Sequence, residues 1–115
     1  MKKKFFPAFR GLKLMLQEKS VQIHLILFVF AMLLSIFLKI NKYEWVLILI
    51  CSGIVFSLEI INTVLEKICD FIHPNYHDKI KDMKDISSSF VLVFTLFAIS
   101  IACIIFIPKI ISNFL

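Results

Sequence analysis

Hydrophobic positions in this chain gather into three long runs separated by short polar stretches. Residues 21–38 are interrupted near their start by Gln22 and His24, residues 45–58 carry no charge, and residues 86–107 carry none either. A membrane crossing takes roughly 20 residues, so the first and third runs are long enough by themselves. The second is long enough only if it continues through Glu59 towards Asp70. No alternation of ten-residue segments points to a β-barrel, and helices are then the way to satisfy the backbone in lipid. Spanning helices are expected over 21–38, 45–70 and 86–107. Ahead of them, Phe5, Phe9, Leu12 and Leu16 recur at helical spacing opposite Arg10, Lys13 and Gln17, with Pro7 near the first turn. That pattern predicts an amphipathic helix over 1–19 lying along the membrane surface. The expected fold is all-α, a single integral membrane domain over 1–115.

Composition supports this reading. The chain has 115 residues, 60% of them hydrophobic, and its mean hydropathy is +0.93. So short a chain leaves little room for a second globular unit, and its apolar runs need lipid to cover them. Charge then sets direction. Lys2, Lys3, Lys4, Arg10, Lys13 and Lys19 precede the first run, and Lys67, Lys79, Lys81 and Lys84 fall between the second and third, against Lys39, Lys42 and Lys109 on the other side. The excess places the amino terminus in the cytoplasm and the chain in the cell inner (cytoplasmic) membrane as a multi-pass protein. Tyr43 and Trp45 fall at the outer interface, where aromatic rings anchor. The basic start lacks a clear small-residue cleavage site after its late apolar run, and is expected to stay attached. The formal charge of +5 follows from this asymmetry and from attraction to anionic lipid; no soluble domain organises it for nucleic acid.

The chemistry concentrates in the second run. Glu59, Asn62, Glu66 and Asp70 are spaced by three, four and four residues, which puts them on one helix face within an arc of roughly 80°. Ionisable groups in membrane spans usually mark a functional path. Cys51, Cys69 and Cys103 are scattered and form no metal or redox signature, so they read as small hydrophobes. His73 and His77 are separated by Pro74, which breaks the helix a zinc pair needs, and suit a polar loop better. His24 is expected to reach the headgroup region. Gly11 and Gly53 cannot build a phosphate-cradling glycine loop. What remains for phosphate is carboxylate and metal: Glu18 and Glu66 suit Mg²⁺ if the surface helix packs near the second span. Lys84 would offset phosphate charge, with Asp85 orienting it or accepting a hydrogen bond, and Asn75, Tyr76 and His77 offer polar and aromatic groups nearby. The competing reading is a non-enzymatic scaffold or ion-path protein whose acidic stripe merely joins helices.

The run Glu-Ile-Ile-Asn-Thr-Val-Leu-Glu-Lys-Ile-Cys-Asp at 59–70 resembles the prokaryotic diacylglycerol kinase family, which includes the undecaprenol kinases. So do Asn75-Tyr76-His77, Lys84-Asp85, and Phe9-Arg10-Gly11-Leu12 followed by Glu18. The resemblance implies a homotrimer of three-helix protomers with composite sites at the cytoplasmic surface, using ATP and Mg²⁺ to phosphorylate the primary hydroxyl of a membrane lipid. It further implies Glu59 as general base, Glu18 and Glu66 as metal ligands, and Asn62 and Asp70 as polar support. Arg10, Asn75, Tyr76, His77, Lys84 and Asp85 would contact nucleotide, and Ser88 and Trp45 would lie along the lipid path. Where many relatives have Glu-x-Asn-x-Arg, this chain has Glu18, Ser20 and Gln22, which puts any contact by that amide or cation in doubt. Diacylglycerol and undecaprenol both remain open as acceptor, although Glu44-Trp45 and the Asn-Thr form of the motif look more like the undecaprenol branch.

Overall fold

The computed structural model describes residues 2–115. Residue 1 and the side chains of residues 2–4, part of the basic tally and of the expected surface helix, lie outside the described part. The described residues form four helices and no strand: α1 (Lys2–Met15), α2 (Lys19–Phe37), α3 (Lys42–Ile72) and α4 (Asp78–Phe114). The last three are long and apolar enough to cross a membrane. α3 packs against both α2 and α4 and so forms the centre of the bundle.

Each boundary has a local cause. α2 ends in Lys39, whose φ of 52° lets its N–H donate to Ile36 O at 3.2 Å and that of Ile40 to Ser35 O at 3.3 Å. This pair of bonds usually closes on glycine. Asn41 then caps α3: its side chain accepts from Glu44 N at 2.9 Å while the Glu44 carboxylate accepts from Asn41 N at 2.9 Å. α3 stops at Ile72 because Pro74 disfavours a helical residue before it; His73 sits at φ −143°, ψ 89°. The His77 ring restarts the chain as α4, accepting from Lys79 N at 3.1 Å.

The spans differ from expectation mainly at α4. α2 and α3 match the predicted 21–38 and 45–70 to within three residues, but α4 runs well past 86–107 at both ends. It begins with two polar turns and passes through Pro108 without stopping. A proline lacks one N–H, and membrane helices tolerate that loss better than sequence pattern suggests. α1 is also shorter than the expected 1–19, ending at Met15 before a turn.

Burial is inverted relative to a water-soluble protein. Phe6, Phe30, Phe37, Phe97 and Ile104 are among many large apolar side chains that are exposed, whereas Ser35, Glu59, Asn62, Thr63 and Ser87 are buried. An apolar cluster of Leu38, Ile40, Ile48, Ile105 and Phe106 closes one end of the bundle, with Trp45 packed against it. The buried polar groups of α3 and Ser87 lie towards the other end.

Candidate active site

The polar stripe faces the bundle interior. Glu59 and Asn62 are 6% and 7% exposed, in a helix whose Ile61, Val64, Leu65 and Ile68 point outward. Burying a carboxylate is costly unless polar partners compensate it, and here a neighbouring helix provides one. His24 Nε2 of α2 lies 3.3 Å from Glu59 Oε2. Asn62 binds in two directions: Nδ2 donates to Glu66 Oε1 at 3.1 Å, and Oδ1 accepts from the Ser87 hydroxyl of α4 at 2.6 Å. The Thr63 hydroxyl is satisfied by the Glu59 backbone carbonyl at 2.9 Å. One helical face therefore joins all three spans, to α4 by a hydrogen bond and to α2 by the His24–Glu59 contact.

Further along α3 the stripe opens to solvent. Lys84 Nζ reaches across from α4 to Asp70 Oδ1 at 2.7 Å. Both residues line a polar pocket of ≈ 280 Å³ with Asn75, Tyr76, His77 and Asp85. In the loop, the His73 ring bonds Asn75 O at 2.8 Å and meets the His77 ring edge-on at 5.2 Å between centroids. From Glu59 to this pocket is roughly 16 Å along the helix axis at 1.5 Å per residue.

Several expected residues fall elsewhere. Asp85 does not orient Lys84; it pairs with Lys81 at 3.1 Å. Adjacent helical residues point about 100° apart, so Lys84 turns to α3 while Asp85 meets its neighbour one turn back. Glu18 reaches α3 through Lys67 at 2.6 Å rather than through Glu66. Arg10 lines a hollow on α1 with Phe6, Phe9 and Lys13, away from the pocket residues. Ser88 is exposed beside buried Ser87. Trp45 packs in the apolar cluster, roughly 21 Å along α3 from Glu59.

The structure also adds residues that pattern reading passed over. His24, expected only to reach the headgroup region, contacts Glu59. Its signal was present, since an ionisable residue inside an apolar run is itself a marker of function. Ser87 carried a weaker one: three consecutive serines, Ser87 to Ser89, gave no means of choosing which faces α3.

Three membrane-length helices, a buried carboxylate in a polar stripe that contacts both neighbouring spans, and a polar pocket holding a lysine at one end make a multi-pass membrane protein with an enzyme-like site. The chain matches the prokaryotic diacylglycerol kinase family over residues 7–106, and it belongs to that family. It is 31% identical to the undecaprenol kinase of Bacillus subtilis (strain 168) over 108 residues, covering 93% of this chain and 88% of that protein. The protein is accordingly a lipid kinase, a phosphotransferase. This sets aside the scaffold and ion-path reading.

Proposed function

We propose that the protein transfers the γ-phosphoryl group of ATP to the primary hydroxyl of a membrane lipid, with undecaprenol favoured over diacylglycerol, at the cytoplasmic face of the inner membrane. The carrying observation is the buried Glu59 carboxylate at the head of a stripe that leads to the polar pocket around Lys84. In this reading Glu59 takes the proton of the acceptor hydroxyl. Asn75, Tyr76, His77, Lys84 and Asp85 hold nucleotide, with Arg10 approaching from α1. Asn62 and Asp70 support the stripe, and Ser88 and Trp45 flank the lipid. Catalysis of phosphoryl transfer is chiefly positioning and charge stabilisation, which suits a site built of fixed side chains.

The donor set fits a magnesium ion. Among the described residues no three metal-ligating side chains converge, but Mg²⁺ commonly takes one or two carboxylates and completes its shell with phosphate and water. Glu66 on the stripe and Glu18 beside α3 supply two. Glu18 is held by an exposed lysine, a partner of little energetic weight and easily exchanged. Bound there, the ion would neutralise phosphate charge.

The single domain over 1–115 is proposed to lie with its amino terminus in the cytoplasm and α1 along the membrane surface, in a homotrimer whose sites are shared between protomers. Exposed Phe5, Phe9 and Leu12 on α1 support that placement, since large apolar faces require cover. The test is labelled ATP with Mg²⁺ and each lipid side by side in mixed micelles. Higher kcat/KM on undecaprenol supports the favoured acceptor, equal or reversed values reject it, and no transfer to either rejects the reading.

A further inference from the structure

The contact between His24 and Glu59 enters no step above. The two side chains are 21% and 8% exposed. His24 otherwise meets apolar surroundings, sharing a cavity of ≈ 200 Å³ between α2, α3 and α4 with Leu27, Phe28, Val55 and Phe56. Polar neighbours of Glu59 on its own helix are committed elsewhere: Asn62 to Glu66 and Ser87, and the Thr63 hydroxyl to the Glu59 backbone carbonyl. Among the described residues, the side-chain partner of the Glu59 carboxylate is His24. A carboxylate that is to take a proton offers lone pairs, so the ring nitrogen facing it, Nε2, is the one placed to donate.

We propose that His24 is a positioning residue for the proton-accepting carboxylate: by donating Nε2–H to Oε2, 3.3 Å away, it holds Glu59 turned so that Oε1 meets the lipid hydroxyl. The inference rests on the reading of Glu59 as base. In the step, the hydroxyl oxygen forms its bond to the γ-phosphorus while the bond to the β–γ bridging oxygen breaks, its electron pair leaving on ADP. The hydroxyl proton passes to Oε1. His24 neither gains nor loses a proton.

Two substitutions separate this role from simple packing. His24→Gln keeps an N–H donor of similar reach, whereas His24→Phe keeps ring volume without a donor. The phenylalanine variant is expected to lower kcat roughly 10- to 100-fold, part of the contribution of a positioned base, with KM for nucleotide within about twofold. The glutamine variant should stay within about threefold of the native kcat, since it preserves the bond. Placed in a Glu59→Gln background, His24→Phe should add less than about a twofold further loss, because it acts through the residue already removed. Native-like turnover of the phenylalanine variant, equal loss in both variants, or a full additional loss in the double variant overturns the proposal. If His24→Phe fails to insert, His24→Met gives the same donor-free comparison. Substantial turnover by Glu59→Gln alone would remove the base reading itself; an inactive Glu59→Gln beside an active His24→Phe removes only the role of the histidine.

Discussion

The two ends of the bundle are held together by different means. At one, Leu38, Ile40, Ile48, Ile105 and Phe106 pack with Trp45; the polar groups there are the Asn41 cap, the Glu44 to Lys109 pair at 3.2 Å, and buried Ser35, whose hydroxyl bonds Ala31 O of its own helix. At the other, the contacts between helices are polar: the His24–Glu59 pair and the hydrogen bond from Ser87 to Asn62. Lipid tails are as apolar as leucine, so apolar burial gives helices in a membrane no strong reason to choose one partner over another. The polar end specifies which faces meet, and its side chains are also those to which the proposed reaction gives roles. Chemistry and register therefore depend on the same few groups, while the apolar end is free to serve packing alone.

If that division holds, substitutions should separate cleanly. The largest expected effect is on turnover: Glu59→Gln should cost roughly 10²- to 10⁴-fold in kcat while the protein stays folded and binds nucleotide, measured by phosphate transfer and nucleotide titration. Phe106→Ala tests the opposite end. It should destabilise by about 3 kcal/mol, read from unfolding in mixed micelles, with KM for nucleotide unchanged. Glu66→Gln should raise the Mg²⁺ concentration for half-maximal activity about tenfold or more, as loss of a metal-binding group does, and an unchanged Mg²⁺ curve would contradict its role. Smallest is Ser87→Ala, expected to cost about 0.6 kcal/mol, the mean for hydrogen bonds between membrane helices. An effect of Phe106→Ala on kcat as large as that of Glu59→Gln would erase the contrast between the ends.

Much of this was legible in the residues. Run length gave the three spans, because the bilayer fixes how many apolar residues a crossing needs. The spacing of Glu59, Asn62, Glu66 and Asp70 gave the stripe, because helical period fixes which side chains share a face. Pro74 gave the break before the loop. What stayed hidden was rotation and partner choice between helices. Ser87 and Ser88 differ by one residue and end up buried and exposed, a matter of how α4 is turned against α3. Lys84 pairs with Asp70, fourteen residues away, and not with adjacent Asp85. His24 was seen as a polar residue near a helix start; that it meets a carboxylate on another helix depends on how α2 is set against α3. α4 outruns 86–107 because that stretch was bounded by the absence of charge, whereas the helix carries polar residues at its start and Pro108 and Lys109 near its end.

That uninterrupted helix carries a mechanical consequence. α4 has 37 residues and is roughly 55 Å long at 1.5 Å per residue, against a hydrocarbon layer of about 30 Å. It must lean or protrude, and its first two turns bear Lys81, Lys84 and Asp85 on the wall of the pocket. A change in bilayer thickness is accommodated by tilt, and tilting a continuous rod shifts the height of that wall above the lipid. The thickness of the surrounding membrane thereby becomes a coordinate of the pocket.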